Sequence, residues 1–177
     1  MKTMFMGVIL VAIIVLAVLL ALNLVFSLGV LEANKNSHSD MELVSTINGK
    51  QLPHNATVAI SSETIIDTID ESGNQVFVFK DTRAPHTRSP IHIHPYGGFT
   101  CMLEGEMTLY MEGSEPNTAT KGGCYYMPGN TLMSGVNSGD VNAVMLDAFV
   151  IPAGKEVWHV MEVGKTDSQD QNFDNDK

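Results

Sequence analysis

Cysteine and basic residues are both scarce in this chain, and each shortage removes a class of protein. Two cysteines, Cys101 and Cys124, in 177 residues are too few for a disulfide framework. The sequence leaves open whether they pair. Ten Lys+Arg stand against 20 Asp+Glu, and one of the ten, Lys2, precedes every acid. A domain this acidic is repelled by nucleic-acid phosphates and by anionic lipid surfaces, so no nucleic-acid partner is expected. Gly97-Gly98 and Gly122-Gly123 lack the strand-to-helix context of a phosphate loop and read as turn glycines. No nucleophile–base pairing can be read. Helical amphipathic periodicity is missing from the polar part of the chain, except over residues 155–163.

What the chain does have is one long apolar run. Charge is absent from residues 3–31, and polar side chains are absent from residues 4–22. At about 1.5 Å per helical residue, that stretch covers roughly the 30 Å of a bilayer core. It exceeds the length of a signal-peptide core, so residues 1–31 are expected to form one uncleaved transmembrane helix. A signal cleaved after Gly29 is the alternative. The amine and Lys2 lie before the run and acids follow it. The positive-inside rule then places the N-terminus in the cytoplasm and the rest in the periplasm, as a single-pass inner-membrane protein. Residues 32–40 read as a linker, 41–163 as one domain, and 164–177 as a disordered acidic tail.

Within 41–163 the pattern is all-β. Short β-branched segments at 58–60 and 64–66 precede a turn cluster at 70–74 and a buried strand at 75–79. Further strands are expected at 91–94, 99–103, 107–112, 124–127 and 143–151. Met107, Leu109 and Met111 alternate with Thr108, Tyr110 and Glu112, the mark of a strand with two different faces. Many short strands separated by turns imply a sandwich or barrel.

The sequence Pro90-Ile91-His92-Ile93-His94-Pro95 carries the chemistry. Side chains at i and i+2 leave a strand on the same face, so His92 and His94 point into one space. The stretch from about Phe77 to Pro152 resembles the cupin superfamily, through two motifs. In the first, His92 and His94 fill the His-x-His positions and Gly105 the terminal glycine, while His86 stands at the leading glycine and Gly98 at the glutamate. In the second, Gly122, Pro128 and Asn137 fit. Asn130 stands where the glycine after the proline would be, with Gly129 beside it, and Met133 stands at the histidine position.

The resemblance implies a cupin double-sheet β-barrel, or jelly roll, preceded by the transmembrane helix. It also implies a homodimer. Metal-binding cupins use four ligands, of which this chain keeps two. The metal reading is therefore one divalent ion (iron, manganese, zinc, nickel or copper) on His92 and His94, with His86 or Met133 as third ligand. Two imidazoles alone hold a metal weakly. If Gly98 faces inward, so do Thr100 and Met102, and with Met133 they line a pocket that Arg88 and Tyr96 flank. The expected function is binding of a small-molecule ligand in a membrane-anchored barrel, with a metal as an option. A metal-dependent dioxygenase, isomerase or lyase and a non-catalytic envelope interaction protein are the alternatives.

Overall fold

The structure is a computed structural model, and it describes residues 42–165. The expected membrane helix, the linker and the acidic tail beyond Lys165 lie outside the described residues. Two sheets carry twelve strands. The first has the order β2 (Ser61–Ile69), β3 (Asn74–Arg83), β11 (Ala143–Pro152), β6 (Gly98–Glu104), β9 (Cys124–Met127). The second has the order β1 (Asn55–Ala56), β4 (Thr87–Arg88), β10 (Met133–Asn137), β5 (His92–Ile93), β12 (His159–Val160), and β10 also pairs with β7 (Glu106–Met111), which pairs with β8 (Asn117–Thr120).

Alternation explains how the sheets face each other. In β6, Thr100 and Met102 are buried while Phe99 and Leu103 are exposed; in β7, Met107 and Leu109 are buried. In β11, Ala143, Met145, Phe149 and Ile151 are buried and Val150 is exposed. The inner faces form one core of methionine, aromatic and aliphatic side chains, and removing that apolar area from water is the main driving force of closure. Cys101 and Cys124 face each other in register on β6 and β9 and form a disulfide.

Three local expectations need correction. Residues 155–163 form no helix; they make a turn and then β12, whose His159 and Val160 pair with Ile93 and His92. The segment 58–66 is not two strands but one long strand starting at Ser61, with Val58 and Ile60 exposed before it. β10 and β8 were not foreseen. β10 reads Met-Ser-Gly-Val-Asn, a turn-like composition, but it is paired along both edges and buried at every residue.

Candidate functional site

Two motif turns fix the histidine strand. The His94 carbonyl accepts from Gly97 N–H (3.2 Å) and from Asn130 N–H (2.9 Å). Asn130 adopts φ 54°, the left-handed region that asparagine tolerates better than most residues. Next to it, a Cβ on Gly129 would fall 2.9 Å from the Pro95 carbonyl oxygen, so this turn sits hard against the histidine motif. Asn137, fully buried, donates to the carbonyls of Arg83, Ala84 and Val141 and locks the opposite end of β10.

His92 and His94 are both buried, and their Nε2 atoms are 3.1 Å apart. Each ring is held from behind by a carbonyl: Pro90 O at 2.8 Å from His92 Nδ1, and Val157 O at 3.0 Å from His94 Nδ1. A carbonyl oxygen only accepts, so each Nδ1 carries the proton and each neutral Nε2 presents a lone pair. Burial keeps both rings neutral. It pulls His94 down to about 4, and burial together with the His94 charge holds His92 well below the usual imidazole range. Two lone pairs therefore converge, with no donor of their own between them. Trp158 lies over the pair, its ring 4.8 Å from that of His92 and 6.5 Å from that of His94.

The histidines line a cavity of ≈ 110 Å³ between the sheets. Its opposite wall is the inner face of the first sheet, where Phe79, Asp147, Thr100 and Tyr125 are successive register partners on β3, β11, β6 and β9. Thr100 donates its hydroxyl to Asp147. Burial and the neighbouring Asp81 charge push the Asp147 carboxyl well above its ordinary range. Burial and the Asp147 charge likewise push the Tyr125 phenol up. Asp81 Oδ1 and Trp158 Nε1 are buried polar atoms without a hydrogen-bond partner, and both residues line the cavity.

Of the residues chosen from the sequence, His92, His94 and Thr100 meet in this cavity, and the others do not. Arg88 spends its guanidinium on a two-pronged pair with Glu162 (both 2.7 Å) rather than on a pocket. Tyr96 is 44 % exposed, on the turn after the motif. Met102 and Met133 are core side chains that do not line the cavity. Met133 is the register neighbour of His92 in the same sheet, not a group across from it. His86 sits on an exposed turn at φ 54°, 3.1 Å from Asp140, away from the other histidines of the motif. Asp81 and Tyr125 were missed, Trp158 reads from the sequence as core, and Asp147 reads as a carboxylate of unknown direction. One signal was available for Asp147: both alternating faces of β11 are otherwise apolar, so a carboxylate there faces apolar neighbours in either direction.

Residues 81–149 match the family model for the cupin domain. By this match, residues 81–149 fall within a cupin domain. No curated protein matches it in sequence. Among solved structures it is similar to an uncharacterized conserved protein with a double-stranded β-helix domain from Klebsiella pneumoniae (18 % identity, 68 % of this chain and 91 % of that one, TM-score 0.47). It is also similar to a cupin domain from Bordetella pertussis (22 %, 54 % and 95 %, TM-score 0.43), and to a DMSP lyase from Ruegeria pomeroyi (17 %, 58 % of this chain and 51 % of that one, TM-score 0.47).

A cupin metal would need more than this cavity supplies. The 3.1 Å between the Nε2 atoms suits two adjacent nitrogens, each about 2.1 Å from one ion. A third donor is what is missing. Among the described residues no three His, Cys, Asp or Glu side chains converge on one point. The glutamate position of the cupin motif is Gly98, and a Cβ there would fall 2.5 Å from a ring carbon of Phe149. Phe149 packs 4.7 Å from the His94 ring, centroid to centroid, in the space a ligating side chain would cross. The residues present do not complete a metal site.

Proposed function

We propose that this cupin binds a small polar ligand inside its barrel, with His92 and His94 as acceptors for one N–H or O–H of that ligand. The observation that carries the reading is the pair of converging Nε2 lone pairs in one cavity between the sheets. A buried acceptor left without a donor costs about 1–3 kcal/mol, so a ligand that brings the donor gains affinity. Trp158 is the only tryptophan of the chain and packs on His92, so its emission reports occupancy directly. Small hydroxyl and amino compounds are to be titrated against the full-length protein. His92→Ala and His94→Ala are each expected to weaken the best of them about tenfold. If no compound changes Trp158 emission, or the change survives both substitutions, the reading fails.

A metal-dependent enzyme is the second reading, favoured by the spacing of the two Nε2 atoms alone. It requires the ligand itself to supply the missing donors, and protein purified without nickel columns would then take up iron, manganese, zinc, nickel or copper only together with that ligand.

Two further elements of the proposal concern location and assembly. The apolar run at 4–22 and Lys2 support a membrane-anchored domain outside the cytoplasm, and the Cys101–Cys124 disulfide suits an oxidising compartment. The register partners Ile66, Val78, Ala148, Phe99 and Tyr126 form an apolar stripe across the outer face of the first sheet. Such a stripe supports a homodimer.

A further inference from the structure

We infer that the ligand is a small organic monocation, an ammonium bearing a hydroxyl or similar acceptor, which Asp81 and Asp147 hold in exchange for one proton. The inference rests on the barrel being a ligand site and adds the charge and chemistry of what enters it.

Geometry comes first. Asp81 faces Met145, and Asp147 lies two residues further along β11, so the carboxyls are diagonal neighbours on one inner face. Asp147 is already engaged by Thr100, whereas Asp81 Oδ1 has no partner and no contact with solvent. This free acceptor borders the cavity, whose walls also include Phe79, Tyr125, Phe149 and Trp158. An ammonium between them meets a carboxylate on one side and aromatic side chains on the others, surroundings that suit organic cations better than strongly hydrated metal ions. Trp158 Nε1 is a donor without a partner in the same wall, which calls for an acceptor atom on the ligand.

Charge decides the sign. Arg83 lines the cavity and is always cationic, while His92 and His94 are neutral. Two carboxyls with one proton carry one negative charge, which balances Arg83. Of the other groups facing the pair, Thr100 does not titrate and Tyr125 stays a phenol. Replacing that proton by an ammonium leaves the cavity neutral. A divalent ion would leave it with one uncompensated charge in a buried space. The exchange is balanced: the ammonium enters, and one proton leaves for solvent.

Calorimetry tests this on the full-length protein at neutral pH, with ethanolamine as probe in phosphate and in MOPS, a bulky sulfonate buffer that is not a small monocation. Ethanolamine is expected to bind with release of about one proton per site, seen as a buffer-dependent enthalpy. Asp147→Asn and Asp81→Asn are each expected to weaken it about tenfold or more and to abolish the release, while thermal unfolding shows both variants folded. Ethylene glycol, the uncharged analogue, is expected to bind at least tenfold more weakly. If glycol binds as tightly and shifts Trp158 emission, the barrel still takes ligands but the cation proposal is overturned. Magnesium displacing ethanolamine through the same carboxyls overturns it in favour of a metal site. If the probe binds without proton release, or both variants keep full affinity, the exchange is wrong. If neither compound binds and no other compound moves Trp158, both readings fall.

Discussion

His94 is an imidazole that folding refuses to charge, and this links pH to stability. Above its unfolded value near 6.5 it is neutral in both states and costs nothing. As pH falls from there towards about 4, the unfolded chain takes up a proton that the folded one rejects, so stability drops. Below about 4 this group adds no further loss. The interval corresponds to roughly 3 kcal/mol. Asp147 acts in the opposite sense, because its raised carboxyl stabilises the fold at low pH and gives that up as pH rises through its folded value. The His94 contribution is therefore isolated with His94→Gln. Urea unfolding between about pH 7 and pH 4 should show wild type losing roughly 3 kcal/mol more than the variant; parallel pH profiles would refute the assignment. The two histidines were legible from the sequence because i and i+2 on a strand share a face whatever the rest of the fold does. Asp147, Tyr125 and Trp158 were not, since which face of their segments becomes interior is settled only when the second sheet closes over the first. Arg88 illustrates the opposite error. Nearness in sequence to His92 suggested a pocket role, but its partner Glu162 is 74 residues away.

At the scale of elements, the segment around β12 positions the most chemistry with the least secondary structure. Val157 gives its carbonyl to His94, Trp158 covers both rings, and Glu162 receives Arg88 twice and the Ile91 N–H once. Burial raises the Glu162 carboxyl, but these hydrogen bonds outweigh it and hold it below its ordinary value. Both side chains of the pair keep slight solvent contact (9 % and 12 %). Arg88→Ala should thus cost about 3 kcal/mol, the lower end for breaking a buried pair, and should quench or shift Trp158 emission by loosening its segment. A loss under about 1 kcal/mol would mean that the clamp is no more than a surface pair. Strands with clean alternation were readable to within a residue or two: 124–127 coincides with β9, and 143–151 with all but the last residue of β11. β10 and β12 were not, because pairing on their edges makes them strands against their own composition, a case of tertiary context overriding propensity.

For the whole molecule, the outer stripe of the first sheet is the feature that demands company. Phe99 is 49 % exposed and its register partner Tyr126 67 %. Sedimentation of the protein should give a dimer, and Phe99→Lys with Tyr126→Lys should give a folded monomer; an unmodified protein that sediments as a monomer rules the homodimer out. Two distant segments of the domain also meet: Val44 and Glu162 bridge to each other, and Val44 N–H donates to the Met161 carbonyl. Translation runs in one direction, so Val44 and Arg88 leave the ribosome long before the residues that will receive them. Until residues 157–162 emerge, the growing chain lacks the carbonyl that sets His94 and the indole that roofs both rings. Val157 and Trp158 are translated after every other residue of the cavity wall, so whatever occupies the cavity in the newborn protein can enter before that wall is in place.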